Sequence, residues 1–203
     1  MYYERNSHLF SDGDLYSVLR NQELKIQEYI KKMPLQHVLE TEESSLIEEV
    51  INKFKITTPT LINEKIVINP VEAEVEITRR NRELYDGEGP IYKNGLHITV
   101  QIPFSGEGDL FKFRASTFTF SGTPNGEIQG NTLILIYETI EKDQEKIKEL
   151  WNGDIRRINE NLSWIRKDVE EFNNKLKSIA TPSIAVRKKE TGENKSLIDA
   201  LKK

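Results

Sequence analysis

The 203-residue chain contains no cysteine and only three histidines. The absence of cysteine excludes disulfide scaffolds, thiolate zinc sites, iron–sulfur clusters and cysteine nucleophiles. No apolar run approaches the roughly 18 residues that a membrane-spanning helix needs, and the polar start of the chain is unlike a secretory signal. We therefore expect a protein of the reducing cytoplasm.

Apolar residues are also scarce, at 36% of the chain against 31% charged residues. This share is low for a compact globule, but the apolar residues are too many and too regularly spaced for a disordered chain. The length suits one domain, with or without a helical appendage. We expect a small core and long polar elements.

Two helices are predicted within residues 11–55. Apolar side chains recur every three or four residues over residues 15–33, and Pro34 ends that pattern. Ser45 and Glu48 then have the spacing of a capping box, and a second apolar stripe follows them. The chain is thus expected to begin with a helical pair.

Five or six antiparallel strands are predicted between residues 60 and 139, where the apolar period changes to two. The clearest strand covers residues 96–104. The apolar pattern of residues 110–120 changes phase near Ala115, which indicates a strand with a bulge that keeps its four phenylalanines inward. Gly130 and its neighbour Asn131 predict a two-residue hairpin turn.

A long helix is predicted over residues 141–181. The strand at residues 133–137 is apolar on both faces, so a helix must cover it. Residues 155–179 then place apolar side chains in a strict alternation of three and four, which we call the heptad stripe, and Pro182 is expected to end the helix. Weak charge pairing beside the stripe favours packing within one chain, although pairing between two chains stays an alternative.

These elements predict one α+β domain over residues 1–181, with two N-terminal helices, an antiparallel sheet and a long helix packed on it. Residues 182–203 are expected to form a basic tail or a docking helix. The last thirty residues carry 8 basic and 3 acidic side chains, although the net charge of the chain is −4.

Basic clusters can contact the phosphate backbone of nucleic acids, so they indicate one alternative function. The candidate nucleic-acid-binding residues are Arg79, Arg80, Arg82, Arg187, Lys188 and Lys189. The alternative interpretation is that both clusters only form part of a solvated surface. Neither cluster is accompanied by an aromatic platform for base stacking, which weakens single-strand binding.

Four apolar residues are candidate partner-binding residues. They are Trp164, Leu197, Ile198 and Leu201. Trp164 lies off the heptad stripe, so it either covers the rim of the sheet or anchors a partner. The other three have little around them in sequence that could bury them.

No catalytic motif is present in the sequence. The histidines are not paired at the spacing of a zinc site, and we expect His97 to be a solvated strand residue. The glycine-rich turns carry acidic residues and do not form a phosphate-binding loop. The alternating glutamates at residues 72–76 most simply keep a strand soluble. We assign no catalytic, cofactor-binding or metal-ligating residue, and an enzyme with an unrecognised acidic site is the least favoured alternative.

Several short motifs of the chain form a combined pattern. Downstream they are Asn-Leu-Ser-Trp-Ile at 161–165, Asp-Val-Glu at 168–170, Phe-Asn-Asn at 172–174, Leu176, Arg187 and Leu-Ile-Asp-Ala-Leu at 197–201. Upstream they are Ile-Pro-Phe-Ser-Gly at 102–106, Arg-Ala-Ser-Thr-Phe at 114–118 and Gly-Glu-Ile-Gln-Gly at 126–130. The pattern resembles the N-terminal region of a group of uncharacterised bacterial proteins. Longer members of that group carry a restriction-endonuclease-like domain and are associated with defence against foreign DNA.

The resemblance implies a non-catalytic regulatory or interaction module of a defence system. It also implies a protein partner, or a nuclease domain acting in cis or in trans. The nuclease portion of the longer members would begin beyond Lys203, so its catalytic acids and lysine are expected to lie elsewhere. No catalytic residue is carried over to this sequence.

Overall fold

The computed structural model describes residues 8–76, 91–119, 122–140 and 144–201. Its helices and strands occur along the chain in the following order: β1 Gly13–Asp14, α1 Leu15–Lys32, α2 Leu35–Glu40, α3 Glu43–Phe54, β2 Thr60–Leu61, β3 Val67–Glu76, β4 Tyr92–Ser105, β5 Phe113–Arg114, β6 Glu127–Gln129, β7 Thr132–Thr139 and α4 Gln144–Leu201. The fold is α+β, as predicted.

Helices α1, α2 and α3 form a group that we call the helical trio. Asp14 caps the N-terminus of helix α1, and its side chain accepts a hydrogen bond from the backbone N–H of Ser17 at 2.8 Å. The short α2 was not predicted. Helix α3 begins at Glu43, before the predicted capping box at Ser45, and no side chain caps it. The predicted helices therefore exist, but the cap predicted for the second is wrong.

The sheet is antiparallel and is built around β4. Strand β4 pairs with β7 on one side and with both β2 and β3 on the other, and β6 pairs with β7, which gives five strands. Alternate residues of β4 point into the core, and the buried ones are Ile98, Val100, Ile102 and Phe104. The predicted hairpin joins β6 to β7, with Gly130 at a φ of +57°.

His97 lies on the other face of β4, and its environment differs from the prediction. Its side chain is only 12% exposed, and its Nδ1 lies 3.3 Å from Oε1 of Glu138 on β7. The expectation of a solvated strand residue is therefore wrong, because the cross-strand carboxylate and its surroundings cover the ring.

The predicted bulged strand at residues 110–120 is also wrong. Residues Gly108–Lys112 form a 3₁₀ turn, and only the two residues of β5 are extended, in a parallel pair with β1. The turn places the Phe111 ring against those of Phe10 and Phe104, with centroids 5.9 and 5.0 Å apart. Phe118 is instead exposed, beneath the guanidinium of Arg114. Residue 120 lies outside the described residues.

Helix α4 spans 58 residues and is about 87 Å long. The heptad stripe is buried within the chain's own core, and its fully or nearly covered members are Ile158, Leu162, Ile165, Val169, Phe172 and Leu176. One part of the helix lies against the sheet, where Asp154 accepts a hydrogen bond from Tyr137. The later part contacts the helical trio. The heptad stripe therefore packs within one chain.

The prediction that Pro182 ends the helix is wrong, since α4 continues through it to Leu201. Proline removes a backbone donor and costs about 3 kcal/mol inside a helix. Ser178, Thr181 and Ser183 donate their hydroxyls to carbonyls three or four residues earlier, around the interruption. Beyond the proline, Ile184 is buried again, so packing outweighs the local cost. None of the helices within the described ranges is long and apolar enough to cross a membrane.

Candidate functional site

The basic cluster near the end of α4 is used inside the fold. Nη2 of Arg187 donates a hydrogen bond of 2.8 Å to the backbone carbonyl of Met33, the C-terminal cap of α1. Nζ of Lys188 donates one of 2.6 Å to the carbonyl of Thr41, the cap of α2. Cations are favourable at helix C-termini, where carbonyls lack helical partners. These two residues therefore fasten α4 to the helical trio.

The remaining basic candidates are placed differently. Lys189 is exposed, and it makes no hydrogen bond or ion pair with any residue in the described part of the chain. Arg79, Arg80 and Arg82 lie outside the described residues. Of the six candidates, the described part of the fold thus shows two that are engaged with backbone carbonyls and one that is exposed.

The three apolar candidates at the end of α4 are exposed together. Leu197, Ile198 and Leu201 are 63%, 43% and 80% exposed. Among the side chains of α4 that the structure describes, Thr191 is the last buried one, and those described between residues 193 and 201 are all exposed. We call residues 193–201 the free end of α4. Clustered exposed apolar side chains on a helix are typical of surfaces that contact other proteins.

A change in the buried face of α4 explains why these residues point outward. With Ile155 as position a, the buried residues up to Leu176 occupy heptad positions a and d, whereas Ala180, Ile184 and Thr191 occupy positions e and b. A straight α-helix turns away from a seven-residue repeat by about 20° per heptad. After about four heptads, the inward face has therefore moved by one residue.

Four residues at the a and d positions that the core abandons, together with Leu201 one turn after the last of them, form a separate stripe. It starts at Val186, which is 58% exposed, and runs through Glu190, Glu193 and Leu197 to Leu201. We call these five residues the outer stripe. At its first residue, a groove of about 310 Å³ lies between α1 and α4, and the apolar part of its lining comes from Ile30, Pro182 and Val186. Sequence reasoning missed this stripe, and the signal that could have found it is the heptad register, which Val186 and Leu197 keep past Pro182.

Trp164 does not belong to this surface. Its side chain is half-buried and packs against the hydrophobic core.

A polar network ties the helical trio together. The hydroxyl of Tyr29 donates to Oε1 of Glu49 at 2.7 Å, and Nε2 of His37 lies 2.8 Å from Oε2 of the same carboxylate. These two contacts hold the pKa of Glu49 below its usual range. Nδ1 of His37 lies 3.3 Å from the Thr41 hydroxyl. The two contacts of Glu49 join α3 to α1 and to α2, whereas the contact with Thr41 lies within α2 and its C-terminal cap, so the network holds the trio together.

A second network joins the sheet to α4. Asp154 accepts a hydrogen bond of 3.1 Å from the Tyr137 hydroxyl and one of 2.6 Å from Nη2 of Arg157. Burial raises the pKa of Tyr137 well above its ordinary value, and the negative charge of Asp154 raises it further. The ring of Trp151 packs edge-on against Tyr137. These residues fix the start of α4 on β7.

A cleft of about 460 Å³ lies between α1, α4 and Ser116. Its floor contains Leu19 and Phe172, and the exposed ring of Tyr16 lies at its rim. The carboxylate of Asp168 in its wall already accepts hydrogen bonds from the backbone N–H and the hydroxyl of Ser116. Charges of both signs line the rest of the cleft, so it does not select a ligand of one charge.

In the described part of the chain, no group of three or more histidines, aspartates and glutamates could hold a metal ion. Comparison with protein-family models, with curated proteins and with solved structures found no match.

Proposed function

We propose that the protein is a non-catalytic interaction module that binds a partner protein through the free end of α4. The observation that carries this proposal is the joint exposure of Leu197, Ile198 and Leu201 on one helical segment. Burying such side chains in an interface releases roughly 25 cal/mol per Å² of apolar surface.

The two basic residues that fasten α4 to the helical trio, which we call the basic clamps, support the proposal. Arg187 and Lys188 hold α4 to the helical trio just before the free end begins. The free end is thus presented on a fixed base, which lowers the conformational entropy that a partner must remove on binding. A rigid helix is a recurring way of presenting anchors to a groove in another protein.

The defence context is part of the proposal and rests on the sequence resemblance alone. In that context, the partner is a nuclease or another component of a system against foreign DNA. Direct binding of nucleic acid has less support, because Arg187 and Lys188 already donate to backbone carbonyls.

The test is recovery of a partner by the full chain from the cells that normally produce it. We compare the wild type with a variant that carries Leu197→Ser, Ile198→Ser and Leu201→Ser. The matched control is Leu150→Ser, which removes an exposed leucine from the opposite half of α4. The proposal requires a protein that the wild type and the control retain and the triple variant loses.

Any such protein is then purified and titrated against the three chains. We expect at least a tenfold weaker affinity for the triple variant, because three apolar anchors are lost. Equal affinity for all three chains would refute the free end as the binding surface.

A further inference from the structure

The outer stripe has apolar residues at both ends and acidic residues in the middle. Val186 begins it and Leu197 and Leu201 end it, all three exposed. Glu190 and Glu193 lie between them, and both are exposed without a hydrogen bond or ion pair to any other described residue. The stripe from Val186 to Leu201 covers about 22 Å of helix.

Its spacing matches an α-helix better than an extended segment. The stripe residues are separated by three or four positions, so they form a nearly straight row along α4. A second helix that packs alongside contacts such a row at the same spacing. The groove at Pro182 and Val186, between α1 and α4, extends the row at one end.

The charges of Glu190 and Glu193 determine which kind of helix can bind the outer stripe. A second copy of the chain would bring its own Glu190 and Glu193 to the same stripe, in either orientation of the two helices. Two pairs of like charges at the centre of an interface are unfavourable, because desolvation strengthens their repulsion. A helix with lysine or arginine at its centre would instead neutralise both carboxylates.

We propose that the outer stripe binds an amphipathic α-helix of the partner, with apolar residues at its ends and a pair of basic residues at its centre. The apolar ends pack on Val186 and on Leu197 with Leu201, and the basic pair meets Glu190 and Glu193. This inference rests on the proposed function and names the partner's chemistry.

The first experiment uses two synthetic amphipathic peptides of about 18 residues, or five turns. They are identical except that one has two lysines at its centre and the other two glutamates. Fluorescence anisotropy measures their affinity for the full chain at low salt. We expect the lysine peptide to bind about tenfold more tightly, with the difference shrinking as salt is added.

A charge-reversed chain provides the decisive comparison. In the variant with Glu190→Lys and Glu193→Lys, we expect the preference to switch to the glutamate peptide. Both residues are exposed, so thermal unfolding of the variant should match that of the wild type. The variant with Leu197→Ser and Leu201→Ser should bind both peptides with lower affinity. The control Leu150→Ser should bind both with the affinity of the wild type. An unchanged preference in the charge-reversed chain would overturn the proposal.

Sedimentation of the full chain tests the competing occupant. We expect a monomer at tens of micromolar, because the central glutamates oppose self-pairing. A dimer that Leu197→Ser abolishes would make the stripe a self-interface and overturn the inference.

The cellular partner separates this inference from the proposed function. If the triple variant at residues 197, 198 and 201 keeps every partner, the proposed function fails. If that variant loses a partner that the charge-reversed chain binds with unchanged affinity, only the present inference fails.

Discussion

The side chains of Arg187 and Lys188 show how a basic cluster can serve the fold. Each donates a hydrogen bond to the carbonyl that ends a helix of the trio. Sequence alone does not distinguish this role from phosphate binding, because the acceptors are backbone atoms about 150 residues away. Only the three-dimensional path of α4 brings donor and acceptor together.

We predict that Arg187→Ala lowers the free energy of unfolding by about 1–3 kcal/mol, since it removes a charged donor from a partly buried carbonyl. Lys188→Ala should cost about 1 kcal/mol, and the exposed Lys189→Ala should change little. Urea denaturation of the three variants measures this order. If Lys189→Ala is as damaging as Arg187→Ala, the clamps do not act as described.

Because of Tyr137, we expect the free energy of unfolding to depend on pH in the alkaline range. Its pKa is raised in the folded protein, so the unfolded chain releases this proton first as the pH rises past about 10. The stability that the protonated phenol contributes is therefore complete below that pH and falls above it. We predict that Tyr137→Phe makes the loss of stability between pH 10 and about 12 less steep.

Absorbance titration of tyrosine ionisation provides the measurement for Tyr137. In the folded wild type, this phenol should stay protonated while the chain unfolded in urea titrates fully. Tyr137→Phe should therefore reduce the absorbance change of the unfolded chain but not that of the folded one. An equal reduction in both states would mean that Asp154 and burial do not hold the proton.

At the scale of elements, Pro182 divides α4 without ending it. The proline side chain is exposed, so its replacement removes little packing. Pro182→Ala restores a backbone hydrogen bond, and we expect the free energy of unfolding to rise by about 1–3 kcal/mol. Thermal and urea unfolding check this, with Ser196→Ala as an exposed control. A loss of stability would show instead that the proline sets a bend that α4 needs in order to reach the helical trio.

Local patterns predicted the elements whose side chains follow one regular period. The alternation over residues 96–104 matches β4, and the glycine at residue 130 matches the hairpin turn. The heptad stripe likewise matches the buried face of α4 up to Leu176. For the strand and the helix, one regular repeat is enough to specify which side chains share a face.

The failures arose where distant contacts determine the local structure. Phe111 turns inward through a 3₁₀ turn because its ring packs with Phe10 and Phe104, which lie elsewhere in sequence. Pro182 stays helical because the helical trio holds the chain beyond it. Of the outer stripe, only Leu197 and Leu201 were candidates from the sequence, because its separation from the core depends on the rotation of a straight helix against a heptad repeat.

At the scale of the whole molecule, charge is distributed unevenly along the chain, and part of the basic cluster near the C-terminal end is engaged inside the fold. The net charge is −4, and the basic residues concentrate near the C-terminal end. Two of the cations there are engaged with helix ends, and acidic residues interrupt the outer stripe between its apolar ends. Within the described residues, a cation that already binds a backbone carbonyl is less available to a phosphate than a solvated one, so the C-terminal cluster offers fewer free charges than its sequence suggests.

Titration with labelled duplex and single-stranded DNA tests this conclusion for the full chain, including the arginines at 79, 80 and 82. We predict a dissociation constant no tighter than about millimolar at low salt, because the net charge of the chain is −4 and two cations of its C-terminal cluster already bind backbone carbonyls. The control is the variant with Arg79→Ala, Arg80→Ala and Arg82→Ala, which should behave like the wild type. Micromolar binding that weakens steeply with salt and disappears in that variant would instead establish a nucleic-acid site outside α4.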